Sequence, residues 1–404
     1  MSGGTVAVDL ATPDAFVDGP PHEALAVLRR TDPVHWQPMA DEPGFWAVLR
    51  HADVAHVARR TEIFSASEGG ITVEDMPAEQ LAMMRNMLLA MDPPVHTRHR
   101  APLSLHFRAR VIGAIEHRVR DICRAIMAEA RERGEVEFVH QVAAPLPTRV
   151  NGELFGLPPQ DWDHIHELAE RNTSSQDPDI ATGAVGDAMD STVEMAMYAI
   201  GLAANRRGSD QTDDLTTAIL NADFGGQPMS DIEFGSFFVQ LVTAGNDTTK
   251  GMLGSGLLTL LRHPDQLAEL RADGSLIPGA VEEIIRYANP LHYFRRTALA
   301  DVELSGTQIA AGDKVAMYYT SANRDEEVFA DPQAFDIHRR PNPHLSFGIA
   351  GHFCLGVHLA RLEGKVFFEE LLDAFPTIDL NGEPVRSRSN LTNMLRLLPV
   401  RLTA

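Results

Sequence analysis

The chain has 404 residues, 44% of them hydrophobic, enough to bury a large core in one big domain or two closely joined ones. Its 35 lysines and arginines against 56 acidic residues leave a formal charge of -21, which argues against broad binding of nucleic-acid phosphate or anionic membrane. With only Cys123 and Cys354 a disulfide framework is improbable and a reducing cytoplasm fits, and no apolar run is long enough to cross a bilayer.

The start, "MSGGTVAVDLATPDAF", has no positively charged region followed by an apolar run, so it does not read as a signal peptide. The first 60 residues are turn-rich, then carry short helices and strands around "GFWAVLR" and "ADVAHVARR". Residues 64 to 95 are less regular and hold Met76, Met83, Met84, Met87 and Met91; methionine suits a ligand cavity and ordinary core packing equally. From about residue 107 to 263 the pattern is mostly helical. The longest helix opens at "SDIE", where Ser230 and Glu233 can form a capping box. Phe234, Phe238, Leu241, Gly245, Thr248 and Met252 follow at spacings of three or four, and Pro264 is the stop signal. Roughly 30 residues at 1.5 Å each predict a helix about 45 Å long.

A shorter helix is predicted over about 279 to 288, between Pro278 and Pro290. "DVELSG" and "AGDKVAMYYTS" read as short strands, 341 to 356 as a loop, and "LARLEGKVFFEELLDAF" as helix again. The fold class is therefore mainly α, a large helical body with a small strand-rich portion. No linker is evident.

Cys354, in "FGIAGHFCLG", cannot build a structural zinc site or an iron-sulfur cluster alone, since each wants several such ligands. A nucleophile paired with His352 and an inert buried thiol both remain open. Haem fits better, because one thiolate can be its only protein ligand. Gly348, Gly351 and Gly356 would let backbone approach the macrocycle and turn amides toward sulfur. The segment resembles the haem-binding signature of the cytochrome P450 monooxygenases, Phe347-Gly348-x-x-x-His352-x-Cys354-x-Gly356, with histidine where many members have arginine. The resemblance implies haem b with Cys354 as axial thiolate, His352 at a propionate, and Phe347 and Gly356 beside the sulfur.

Three more stretches match the family in its order. "EEIIR" puts Glu283 and Arg286 on one helical face, a solvated pair by spacing alone; the family pattern makes them a buried brace joined by Arg339. "AGNDTT", inside the long helix, weakens helix propensity and matches the family's Ala/Gly-Gly-x-Asp/Glu-Thr motif through Ala244, Gly245, Asp247 and Thr248. By that likeness Asp247 and Thr248 deliver protons, and the helix opens locally over the haem. "HTRHR" and "FRRTA" supply His96, Arg100 and Arg296 as further propionate partners, the last placed just before a strand.

The family likeness spans almost the whole chain. It implies one prism-like domain over 1–404, whose β-rich part joins about 20–65 to 290–340, and insertion of one oxygen atom from O2 into a C–H bond. No flavin, nicotinamide or iron-sulfur region is evident, so a ferredoxin and its NAD(P)H-dependent reductase are expected, docking on a basic stretch such as "RHRAPLSLHFRAR". Pocket positions by likeness are Met87, Phe238, Leu241, Val242, Ala244, Leu291, His292 and Tyr293. Most are apolar and favour a lipid-like, sterol or terpenoid substrate. A macrolide or aromatic natural product stays open as an alternative, as do a peroxygenase, a non-catalytic haem sensor and a cysteine hydrolase.

Overall fold

The computed structural model describes residues 8–173, 177, 186–207 and 212–403. Helices dominate. The eight that matter here are α1 (Val95–Ser104), α2 (Glu116–Arg133), α3 (Pro145–Phe155), α4 (Trp162–Thr173), α5 (Gly186–Arg207), α6 (Asp231–Arg262), α7 (Ile277–Tyr287) and α8 (Val357–Ala374). The long helix starts where the capping box places it: Ser230 accepts from the Glu233 N–H while the Glu233 side chain accepts from the Ser230 N–H. Two first-turn carboxylates, Asp231 and Glu233, also complement the positive end of the helix dipole.

α6 runs 32 residues and joins two apolar clusters. Its first half packs Phe234, Phe238 and Val242 against Ile165, Leu168 and Met195 of α4 and α5. Its second half packs Leu253 and Leu257 against Ile126 of α2, Ile284 of α7 and Phe367 of α8. Gly256 permits that second contact, since a Cβ there would lie 2.9 Å from both Ile284 and Phe368 side-chain atoms. The middle of α6, residues 244 to 249, falls between the clusters.

A five-stranded sheet stands beside this body. Its strands are β1 (Val34–Gln37), β2 (Phe45–Val48), β3 (Phe64–Ser65), β4 (Tyr293–Ala298) and β5 (Lys314–Tyr318), in the order β1-β2-β5-β4-β3. β2 pairs with β5 in parallel, Phe45 opposite Lys314, while β4 and β5 run antiparallel with Tyr293 opposite Tyr318. Arg296 therefore lies within a strand, not before one, where sheet pairing fixes the direction of its side chain. Among the described residues no helix is long and apolar enough to cross a membrane.

Candidate active site

The Cys354 loop is shaped by its backbone. Gly348 sits at φ +66°, the left-handed region that glycine enters without a steric cost, and Ala350 occupies the same region at φ +59°. The Cys354 N–H donates to Phe347 O at 2.8 Å, closing the loop on itself. Burial pushes the Cys354 thiol up, while the Gly356 N–H and the Arg100 and Arg361 guanidiniums pull it down. α8 begins at Val357, so its positive end also faces the sulfur.

Opposite this loop, across a cavity of about 240 Å³, lies the middle of α6; Cys354, Phe347 and Gly356 line one side, Ala244, Gly245 and Thr248 the other. Four basic side chains converge at one edge: His96 and Arg100 from α1, Arg296 from β4, and His352 from the loop. The His96 and His352 rings stand 4.1 Å apart, and the Nε2 atom of each is buried without a hydrogen-bond partner. Burial, then the nearby Arg100 and Arg296 guanidiniums, lowers His96 to about 4. Burial, then Arg296, lowers His352 to about 2. Among the described residues buried Arg296 donates only to its neighbour's carbonyl, Arg295 O at 2.8 Å, and Arg100 donates to Phe353 O. Among the described residues no carboxylate is ion-paired with either arginine. Buried cations without counter-ions are costly, so the edge is built for an anion.

A flat apolar group carrying two carboxylates and a metal at its centre meets all these demands. Haem b is such a group. Its carboxylates would face the orphaned histidine nitrogens and the two guanidiniums, and Cys354 offers the sulfur.

The α6 wall differs from expectation. The helix is unbroken through 244 to 249, and the Thr248 hydroxyl donates to Ala244 O at 2.6 Å rather than splitting the ladder open. Asp247 does not line the cavity. Its carboxylate pairs with Lys250 Nζ at 2.9 Å and accepts from the Thr173 hydroxyl. Lys250 also reaches Glu170 Oε1 at 2.7 Å, which lies 3.6 Å from His140 Nδ1 near the surface. Burial opposes the Lys250 ammonium, but the Asp247 and Glu170 carboxylates outweigh it and hold its pKa above the usual lysine range. Gly245 lets α3 approach: its missing Cβ would meet Asn151 Nδ2 at 2.8 Å, and that amide donates to Asn246 Oδ1 at 2.6 Å.

Of the other expected pocket residues, Leu241, Ala244 and Leu291 line the cavity. Met87, Phe238, Val242, His292 and Tyr293 do not. Phe238 and Val242 face α4 and α5 in the apolar cluster, and Met87 packs at its margin. His292 stacks on Phe16 and pairs with the Thr320 hydroxyl, while the Tyr293 hydroxyl accepts from the Val73 N–H. Gln240, Thr249, Phe294 and Glu363 line the cavity without having been picked out by the sequence. Lys250 carried a signal, an opposite charge three residues after Asp247; Glu170 and Asn151 carried none.

The Glu283 carboxylate is a hub. It accepts from Arg286 Nε and Nη2 at 2.7 and 2.6 Å, Arg339 Nε at 3.1 Å, Asn342 Nδ2 at 3.1 Å and the Asp336 N–H at 3.0 Å. Both Glu283 and Arg286 side chains are fully buried, so the pair is interior, not a solvated surface contact.

Comparison with known proteins agrees. The Cytochrome P450 family model matches residues 181–402. A steroid C26-monooxygenase of Mycolicibacterium smegmatis is 39% identical over 386 residues, covering 93% of this chain and 89% of that one. A methyl-branched lipid omega-hydroxylase of Mycobacterium tuberculosis is 40% identical over 389 residues, with 93% and 90% covered. Among solved structures, a Mycobacterium marinum cytochrome P450 in complex with pseudoionone superposes with a TM-score of 0.91 at 37% identity, each chain wholly covered.

Proposed function

The chain belongs to the cytochrome P450 family and is a haem-dependent monooxygenase, and on that premise we propose that it hydroxylates an apolar lipid-like molecule, a sterol, branched lipid or terpenoid. Cys354 would hold the iron through its sulfur, while His96, Arg100, Arg296 and His352 would bind the two haem carboxylates. When bound, the haem supplies dioxygen activation and the oxidising power for the C–H bond. The protein does the rest.

Leu241, Ala244 and Leu291 present apolar surface that orients the substrate and excludes water from the cavity. Thr248 holds a proton at Oγ1 on the cavity wall. A rotation about χ1 swings that proton from Ala244 O toward the cavity. Asp247, next in sequence but turned away from the cavity, is the acceptor through which a proton from the Lys250 ammonium or the Thr173 hydroxyl passes toward it.

One observation carries this reading: four basic side chains that make no ion pair among the described residues stand beside a lone cysteine, facing a threonine across one cavity. The relatives' names, steroid C26-monooxygenase and methyl-branched lipid omega-hydroxylase, support the lipid class. For electrons we assign a cytoplasmic ferredoxin and its NAD(P)H-dependent reductase. Exposed Arg98, Arg108 and Arg110 stand with exposed Val95, Leu105, Val111 and Phe353 on the segments around Cys354, a basic and apolar surface suited to an acidic partner. The test is the absorption of the reduced, carbon monoxide-bound protein, with turnover of a sterol and a branched fatty acid under labelled dioxygen. The thiolate band is expected in the wild type and lost in Cys354→Ser, with one labelled oxygen in the product. A band unchanged in Cys354→Ser would overturn the ligand assignment. Turnover of neither compound would overturn the substrate class.

A further inference from the structure

The cavity wall beyond the basic edge is apolar, lined by Leu88, Leu89, Phe107, Leu154, Phe155 and Leu241. α3 and α6 nevertheless bring four uncharged polar side chains to it. Three are engaged within the protein: Asn151 with Asn246 Oδ1, Thr248 with Ala244 O, and Thr249 with Glu363 Oε2 at 3.4 Å. Gln240 is not. Its Oε1 atom is buried and has no donor, and among the described residues its amide makes no hydrogen bond through either end. An amide left unpaired in an apolar wall costs stability wherever leucine would fit. That cost is recovered when a bound molecule brings a hydroxyl, which can both donate to the carbonyl and accept from the NH2.

We propose that Gln240 is the polar anchor of the substrate, selecting an alcohol on an otherwise hydrophobic skeleton and fixing which end of it is oxidised. The inference rests on the lipid-like substrate class proposed above and narrows it. Gln240 precedes Thr248 by eight residues, about 12 Å along the α6 axis. An aliphatic chain needs roughly ten carbons to span that length. A hydroxyl held at Gln240 therefore sends the far end of such a chain toward Thr248, and oxidation falls at the end remote from the hydroxyl.

The holoenzyme tests this by Soret-shift titration with 1-dodecanol and n-dodecane, compounds of equal chain length that differ by one hydroxyl. Wild type is expected to bind the alcohol about tenfold tighter, a difference of about 1.4 kcal/mol. Gln240→Leu, and Gln240→Met as a second variant closer in shape, should bring the ratio to about one without weakening dodecane. The wild-type product should carry its new hydroxyl at or next to the terminal methyl, and the variants should spread oxidation along the chain. A ratio unchanged in both variants, or no preference in wild type, overturns the assignment while leaving the lipid class intact. A spectrum moved by neither compound overturns both.

Discussion

Converting Glu283 to glutamine changes one oxygen to nitrogen in a fully buried side chain that accepts five hydrogen bonds. The new NH2 group must face donors: Arg286 Nε and Asn342 Nδ2 on one side, or Arg286 Nη2, Arg339 Nε and the Asp336 N–H on the other. Two guanidiniums also lose their counter-charge in a site closed to water. Breaking a buried pair in this way costs about 3–5 kcal/mol. For 404 residues, unfolding entropy of about 2.1 cal/mol/K per residue converts that to a fall of about 4–6 °C in the melting midpoint. The assay is far-UV circular dichroism of the holoenzyme. Glu282→Gln serves as the milder control, because its Arg361 partner is 40% exposed and its other partner, His344 Nε2 at 3.3 Å, can still bond the glutamine amide; about 1 kcal/mol is expected there. Replacing the central pair with Glu283→Leu and Arg286→Met together should recover only part of the loss. The Asn323 and Pro332 carbonyls, which Arg286 now satisfies at 2.9 Å each, would still lack donors, while Ala334 O would keep only its bond from Arg339 Nη2 at 3.0 Å. A Glu283→Gln midpoint within 1 °C of wild type, or a Glu282→Gln loss as large, would refute the reasoning.

Lys250→Met strands the buried Asp247 carboxylate and should cost about 3–5 kcal/mol by urea titration, whereas Glu170→Gln, which leaves the Asp247–Lys250 pair whole, should cost clearly less. Glu363 should make stability fall toward alkaline pH. Burial raises its carboxyl to about 8, against a bond from Thr249 that lowers it. Because the folded pKa exceeds the ordinary value of 4.5, its contribution is full below pH 4.5 and drains away as pH climbs through about 8. Glu363→Gln should lack that slope, opening a gap of about 5 kcal/mol near pH 9; parallel profiles for the two proteins would count against it. Gly245→Ala places a Cβ 2.8 Å from Asn151 Nδ2 and should cost about 1–2 kcal/mol in a melt, relieved when Asn151→Ala is added.

The parts of the site readable from the chain are those whose residues are close in sequence. Ser230 and Glu233 carry their geometry in their spacing. The spacing of Glu283 and Arg286 sets only their contact; their burial, and the role of the loop from Phe347 to Gly356, are read from the family pattern. Met87, Phe238, Val242, His292 and Tyr293 lie off the cavity for a definable reason. α6 is buried on more than one side, so its apolar positions do not form a single stripe. Leu241, Ala244, Gly245 and Thr248 face the cavity, while Phe238 and Val242, one turn apart on another stripe, face α4 and α5. On β4, successive side chains alternate between faces, so an inward Arg296 implies an inward Phe294 and an outward Tyr293. That inference was available from the strand pattern once Arg296 was placed inside the strand. Asp247's attachment to Lys250 was half legible; its tie to Thr173 joins residues 74 positions apart and had no local signature.

The Glu283 carboxylate and the cavity differ in how completely the chain satisfies their polar atoms, although orphaned buried atoms such as His166 Nδ1, Asn289 Oδ1 and Asn342 Oδ1 occur elsewhere as well. Around Glu283 every acceptor lobe has a donor, and Arg286 meets three carbonyls besides. Around the cavity four side chains keep a buried atom without a partner: His96 Nε2, His352 Nε2, Gln240 Oε1 and Glu363 Oε1. Each such atom costs about 1–3 kcal/mol. Haem carboxylates can satisfy the two histidines and a substrate hydroxyl the glutamine, so binding removes strain that the folded chain alone retains. Stability contributed by haem should therefore concentrate in α1 and the 345–356 loop, whose side chains it completes. The α7 segment around Glu283, whose carboxylate is already satisfied by the protein's own residues, should hold its amide protons with or without the cofactor.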